Sequence, residues 1–300
     1  MTNTAEAPLR VYEDIITDSR RWASFKPRST DVIVSTPSKS GTTWMQGILA
    51  LLFTGDPEVN VQPSQNAPWF DNNGDTIEEL NKRLESQTGR RQVKTHTPLD
   101  GVPVWPDVRY ITVYRHPIDV HFSVRRHIAN YRPEIVEEMG LDMTLFPDDP
   151  RKSFHIFLEA DYLDHSSLSA IIAHYRATLA QLPKENLLCL HYADMQRDLA
   201  AAMSRVAGHI SVDHSPTIME ALVKAATFDN MKRNVDRFGI VAGHDFWRKD
   251  TDFFHSGTSR KWEGVLTDAD LADYNNAISR LLGHDARAWL EWGGNLESTL

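Results

Sequence analysis

Asp31-Val-Ile-Val-Ser35-Thr-Pro-Ser-Lys39-Ser-Gly-Thr-Thr-Trp44 decides the reading of this 300-residue chain. A short β-branched run gives way to a loop of small and hydroxylated residues. An apolar-periodic stretch from Trp44 to Phe53 then reads as a helix. In such a strand–loop–helix unit the free amide groups of the loop and the positive end of the helix dipole converge on one spot, which suits a phosphate. Lys39 and the loop hydroxyls add directed donors. A helix start capped by Ser-Gly-Thr-Thr accounts for the glycine and hydroxyls without any ligand, so the loop alone leaves both readings open. It is not the nucleotide loop G-x-x-x-x-G-K-[ST], because here the lysine precedes the glycine by two places and position 35 is serine.

Working outward, Gln92-Val-Lys-Thr95 reads as a second strand stopped by Pro98, and Arg109-Tyr-Ile-Thr-Val-Tyr-Arg115 as a third. Pro117 opens a helix that the spacing carries to about residue 131. Leu187 to Leu190 is a fourth strand, and its Cys189, the one cysteine of the chain, reads as a buried small hydrophobe. Helical spacing covers 77–84, roughly 152–163 and 167–182, a stretch from about 193, one opened by Ser215-Pro216 and a last one capped by Thr267. Residues 54–75 read as a long loop exposing Trp69 and Phe70, and 132–150 as a segment broken by Pro133, Gly140, Pro147 and Pro150. Strands alternating with helices predict an α/β fold, a central parallel sheet covered on both faces. No linker or repeat interrupts the pattern, so residues 1–300 are expected to form a single domain.

Composition narrows the function. Apolar residues are 41% and charged residues 24%, ordinary for a globular protein. The longest apolar run is six residues, Ile48 to Phe53, so no membrane span is expected; no secretory signal is legible and a cytoplasmic location is the default. Lysine and arginine number 32 against 41 acids, a net charge of −9 that argues against broad nucleic-acid binding. Within this acidic chain, residues 109–132 hold five arginines against one acid, Asp119. Residues 230–261 hold seven basic residues against four acids. Two local basic patches in an acidic protein suggest a discrete polyanionic ligand, although a solvated basic helix would read the same. A nucleotide triphosphatase would also need a magnesium-holding acid at a neighbouring strand end, and the best such strand ends in Arg115. The histidines, including His116, His121 and His127, lack paired ligand spacing, and no metal is expected.

Taken together, these residues resemble the cytosolic-type sulfotransferases that use 3′-phosphoadenosine 5′-phosphosulfate (PAPS). Lys39-Ser-Gly-Thr-Thr-Trp44 is similar to their 5′-phosphosulfate loop, Arg115 with Ser123 to their 3′-phosphate site, and Lys94-Thr-His96 to their catalytic lysine-threonine-histidine. Phe253-Phe254-His255-Ser256-Gly257-Thr258 with Trp262 resembles the C-terminal motif that closes over the 3′-phosphate, so the resemblance runs in order from about residue 31 to 262. It implies a P-loop-like sulfotransferase fold, with Lys39, Ser40, Gly41, Thr42, Thr43 and Trp44 around the 5′ end of the cofactor. It also implies Tyr192, Thr227 and Met231 around the base, and Ser123 as a restraint on Lys39. Trp44 offers a platform for adenine with Phe228 its partner, although Trp44 also suits a core. His96 is the expected general base, with Lys94 neutralising the sulfuryl oxygens and Lys39 the leaving oxygen.

Two departures stand out. Pro37-Ser38 replaces the usual tyrosine-proline before the lysine, and His255-Ser256-Gly257 replaces arginine-lysine-glycine; Arg260 and Lys261 are spaced to substitute for the missing cations. The lysine-threonine-valine-glutamate dimer motif of animal members is not found, so the resemblance implies nothing about oligomeric state. The expected reaction moves a sulfuryl group to a hydroxyl or amine of a small molecule. Trp69, Phe70, Trp105, Phe146, Phe246 and Trp247, in loops that border the acceptor by resemblance, favour an apolar or aromatic one. The alternatives are a P-loop kinase or NTPase, and a non-catalytic nucleotide-binding protein on the same fold.

Overall fold

A computed structural model describes residues 5–161, 166–239, 246–249 and 257–296. Strands β1 (Val32–Ser35), β2 (Gln92–Thr95), β3 (Arg109–Tyr114) and β4 (Leu187–His191) form one sheet in the order β2-β1-β3-β4. Every pairing is parallel, with Val32 opposite both Gln92 and Arg109, and Tyr110 opposite Leu187. Period-two alternation sorts the side chains. Val32, Val34, Ile111, Val113 and Leu190 pack on one face with Trp44, Met45, Ile48 and Leu49. Ile33, Val93, Tyr110 and Leu187 pack on the other with Trp22, Phe25 and Phe70. Further along that second face Tyr114 and Cys189 meet Ile118, Tyr175 and Trp289. Both faces are covered, as the nearly unbroken apolar strands predict.

Between β1 and β2 lie α1 (Thr42–Thr54), α2 (Pro63–Asn66) and α3 (Ile77–Glu85). Between β3 and β4 lie α4 (Pro117–Ala129), α5 (Pro133–Glu138), α6 (Pro150–Glu159) and α7 (Leu168–Leu179). After β4 come α8 (Tyr192–Arg197), α9 (Leu199–His209), α10 (Pro216–Ala225), α11 (Phe228–Arg233), α12 (Val235–Phe238), α13 (Asp268–Leu281) and α14 (His284–Trp292). The helix starts follow local chemistry. Pro117 and Pro216 sit in first turns, Ser215 accepts from the Ile218 amide, and Thr267 forms a reciprocal box with Asp270.

Beneath the sheet's N-terminal edge, Arg91 and Asp31 form a buried two-pronged ion pair at 2.8 and 2.5 Å that ties the start of β1 to β2. Removing one partner of such a pair costs about 3–5 kcal/mol, because the other charge is left buried.

Three expectations need correction. The segment read as broken by proline and glycine contains α5, which Pro133 opens as a first-turn residue. Phe70 is fully buried against Trp22 and Phe25. Trp105 packs on Phe25 in the same cluster, so neither residue is an exposed loop aromatic or an acceptor wall. Among the described residues no helix is long and apolar enough to cross a membrane.

Candidate active site

Parallel strands end at one edge of the sheet, where the loops leaving β1, β2 and β3 begin at Thr36, His96 and Arg115 and β4 runs directly into α8 at Tyr192. The chain leaves β1 toward β2 on one side and β3 toward β4 on the other, so a crevice opens between β1 and β3, where open α/β sheets take their ligands. A cavity of about 550 Å³ occupies this place, and Lys39, Gly41, Thr42, Thr43, Lys94, His96, Arg115 and Ser123 line it. Residues up to 84 positions apart in sequence thus meet because the strands that carry them are parallel neighbours.

The loop after β1 curls tightly. Lys39 takes a left-handed backbone (φ 61°) and Gly41 a conformation, φ 121°, that side-chain-bearing residues rarely adopt. A Cβ at Gly41 would also stand 3.2 Å from the Tyr192 ring. Gly41 is the N-cap of α1 and no side chain caps that end, so the first amides of the helix face the cavity beside Lys39 and its neighbours. The Thr42 hydroxyl is drawn back to Thr36 at 2.5 Å, while Ser40 lies buried beneath the loop, its hydroxyl unpartnered among the described residues and not among those lining the cavity.

Positive charge collects on the opposite wall. Arg115 is buried, stacks its guanidinium over Tyr192 at 4.3 Å and donates to the Thr258 carbonyl at 2.8 Å. Its Nε has no partner among the described residues. Asp119, in the first turn of α4, accepts from the backbone amides of Arg260 (3.1 Å) and Lys261 (3.2 Å), which folds their turn over Arg115. The two basic residues then part company. Lys261 lines the cavity, whereas the Arg260 guanidinium pairs with Glu263 and lies over Trp292 at the surface. Of the two candidate replacements for the missing cations, Lys261 is the one directed inward. Gly257, at φ 60°, lets its backbone approach Phe228 so closely that a Cβ would meet that ring at 2.8 Å. Phe254, His255 and Ser256 lie outside the described residues.

Crowding these cations in an enclosed space weakens their hold on protons. Burial first, then Lys94, Lys261 and Arg115, pull Lys39 down to about 7. Burial pulls Lys94 down to about 8 against the opposing pull of Asp71, and Lys261 also falls to about 8, by burial and then Arg115. All three are therefore set to gain charge when an anion enters.

Trp44, Phe228 and Met231 border the cavity from one side. Trp44 also belongs to the core, donating to the Ala226 carbonyl at 2.8 Å and meeting Tyr192 edge-on, so the platform and the core readings are both satisfied by one ring. Thr227 is the N-cap of α11; its hydroxyl donates to Lys224, away from the cavity lining.

His96 is held by a 2.7 Å contact between Nδ1 and the Thr36 carbonyl. A carbonyl only accepts, so Nδ1 carries the proton and Nε2 keeps a lone pair able to take one. Trp69 packs edge-on against this ring at 4.6 Å and supports the Lys94 ammonium at 4.8 Å from its centroid. The buried carboxylate of Asp71 accepts from Thr95 (2.6 Å), Thr97 (2.7 Å) and Trp22 (2.9 Å), clamping the chain on both sides of His96. That role was not legible in sequence, where Asp71 is one polar residue of a polar loop. Arg126 and His127 also face the cavity. The arginine was visible only as part of a charged helix, and the histidine carried no local signal at all. Apolar Ile16, Met139, Phe146, Phe246 and Trp247 also line the cavity, together with the polar Ser64, Asn72 and Asp75. The described residues contain no group of three or more histidine, cysteine or acidic side chains placed to hold a metal ion.

The chain is 30% identical to a glycolipid sulfotransferase of Mycobacterium bovis, covering 94% of each chain. It is 28% identical to an amine sulfotransferase of Oryctolagus cuniculus, covering 81% of this chain and 77% of the relative. Its fold is similar to that of mouse sulfotransferase SULT7A1 complexed with PAP (TM-score 0.67, 16% identity, 90% and 91% of the two chains). It is also similar to retinol dehydratase in a complex with retinol and PAP (TM-score 0.65, 19% identity, 89% and 86%). The sulfotransferase domain family model matches residues 29–285, a span that contains the whole sheet and every lining residue of the cavity but Ile16, and the chain belongs to the sulfotransferase family.

Proposed function

We propose that this sulfotransferase moves a sulfuryl group from PAPS to a hydroxyl of a small acceptor that has an apolar or aromatic portion, with His96 as general base. The observation that carries the reading is the 2.7 Å contact of His96 Nδ1 with the Thr36 carbonyl, which leaves Nε2 unprotonated on a ring that shares one cavity with Lys39, Lys94 and the start of α1. In the reaction the acceptor oxygen attacks sulfur and gives its proton to His96 Nε2. The bond from sulfur to the bridging oxygen breaks, leaving a sulfate ester and adenosine 3′,5′-bisphosphate. Negative charge growing on the bridging oxygen meets Lys39 and the amides of α1. Lys94 offsets the charge of the sulfuryl oxygens. Arg115, Ser123 and Lys261 are assigned to the 3′-phosphate, and Trp44 with Phe228 to the adenine face.

For the acceptor, the apolar wall of Ile16, Met139, Phe146, Phe246 and Trp247 supports an amphiphile whose hydroxyl reaches His96. Kinship with a glycolipid sulfotransferase supports the same class. The test is calorimetric titration with adenosine 3′,5′-bisphosphate in EDTA and, separately, ATP with magnesium. Sulfation of a panel of alcohols, phenols and amphiphiles by PAPS is then followed by mass spectrometry. Tight bisphosphate binding and a sulfated product are expected; a preference for ATP with magnesium would overturn the assignment, and binding without any transfer would favour a nucleotide-binding protein.

A further inference from the structure

His127 lies one turn beyond Ser123 on α4 and lines the cavity. Its Nδ1 stands 3.2 Å from the Lys39 ammonium nitrogen, across 88 positions of sequence. An ammonium group only donates, so when Lys39 is charged Nδ1 is the acceptor and the ring proton sits on Nε2. The ring is fixed by two aromatic residues that also line the cavity. It packs on Trp247 at 4.8 Å and on Tyr131 at 5.2 Å, and those two rings stack on each other at 5.1 Å. The backbone reinforces this clamp, since Arg248 donates to the Asn130 carbonyl at 2.7 Å and the Asn130 side chain donates to the Lys249 carbonyl at 2.9 Å.

We infer that His127 is a positioning residue for Lys39, a neutral acceptor that fixes the lysine's place in the cavity and favours its charged form. The inference rests on the sulfotransferase reading of the site. Lys39 faces Lys94 from β2, Arg115 from the end of β3 and Lys261 from the turn over it; His127 itself faces Lys39, Lys94 and His96. Every one of these charged neighbours opposes a proton on Lys39. Burial first, then Lys39, Lys94 and His96, hold the His127 ring well below its usual range and therefore uncharged. A hydrogen bond to the ammonium acts in the other direction, because bonding to a charged form stabilises that form. The same bond sets where the lysine nitrogen stands before the leaving oxygen needs it. The aromatic clamp lets the acceptor wall at Trp247 report to Lys39 through one ring.

The test follows the titration of Lys39 directly, by NMR of protein labelled with ¹³C at lysine Cε, the resonance being assigned with Lys39→Arg. In His127→Phe, which keeps the ring packing and removes the acceptor, the Lys39 midpoint should fall by about one pH unit. His127→Asn, whose carbonyl oxygen stands near the lost Nδ1, should restore it. In parallel, the alkaline limb of kcat/KM for PAPS, which reports the free enzyme, should move to lower pH in His127→Phe and return in His127→Asn. An unchanged Lys39 midpoint in His127→Phe, or His127→Asn as displaced as His127→Phe, would overturn the inference. A role confined to packing would lower the melting temperature without moving the titration. Failure of the wild type to bind the bisphosphate would instead refute the functional reading, and the NMR result stands apart from it.

Discussion

Replacing Arg115 by alanine tests the polyanion assignment at its most buried cation. The side chain is 5% exposed, its Nε lacks a partner among the described residues, and it faces the cavity beside Ser123 and Lys261. A hydrogen bond to a charged group contributes about 1.5–3 kcal/mol, and losing one partner of a buried charged contact costs about 2–5 kcal/mol. A loss of about 2–4 kcal/mol is therefore expected, equivalent to roughly 30- to 700-fold weaker binding of adenosine 3′,5′-bisphosphate at about 1.4 kcal/mol per decade. Arg115 also donates to Thr258 and stacks on Tyr192, so its removal loosens the turn over the cavity as well. Calorimetry with adenosine 5′-phosphate separates the two effects, because that ligand has no 3′-phosphate to lose. Arg115→Ala should weaken the bisphosphate by the full amount and the monophosphate by less than about threefold, the scale of a few tenths of a kcal/mol. Equal losses for both ligands would show that Arg115 acts only by shaping the turn, and no loss for either would refute the assignment.

Substituting His96 by asparagine keeps a donor for the Thr36 carbonyl and removes the base; kcat should fall about 10²–10⁴-fold with bisphosphate affinity nearly unchanged, by single-turnover kinetics and calorimetry. Equal losses in affinity and turnover would argue against that role. Gly41→Ala forces a side chain into φ 121° against the Tyr192 ring, a strain of about 1–3 kcal/mol, and should lower both the melting temperature and bisphosphate affinity. An unaffected affinity would show that the loop does not hold the ligand. Because Lys39 titrates at about 7 and Lys94 and Lys261 at about 8, bisphosphate binding should weaken as pH rises from 7 to 9. The ligand's phosphates are already ionised over that range, with a second pKa near 6, so the protein supplies the change. Calorimetry in buffers of different ionisation enthalpy should show proton uptake at pH 8, and affinity independent of pH would contradict it.

The strands were legible because each is a compact β-branched or apolar run ended by a polar or proline-containing loop, and the observed bounds coincide with the reading at five of eight ends and differ by one residue at the other three. Helix starts were legible wherever a cap or first-turn proline marked them, as at Ser215-Pro216 and Thr267. What failed depends on tertiary placement. Phe70 and Trp105 sit in irregular segments, where nothing local distinguishes an aromatic facing a pocket from one filling a core. The carboxylate of Asp71 matters because Thr95, Thr97 and Trp22 converge on it from two other segments. Arg260 and Lys261 are adjacent and chemically alike; only the two bonds from their amides to Asp119 decide which side chain turns inward. His127 required the approach of a loop 88 residues away.

The crowding of Lys39, Lys94, Arg115 and Lys261 in one enclosure, inside a chain of net charge −9, sets up a self-repulsion that an anionic ligand relieves. A bound bisphosphate then serves as a missing counter-charge of the fold as well as a product. Any ligand that binds only the native state raises its stability with concentration, by about 2.7 kcal/mol at a hundredfold excess over Kd. The melting temperature of a given preparation therefore reads out how much nucleotide it holds. Stripped and saturated samples of the same sequence should therefore melt at different temperatures.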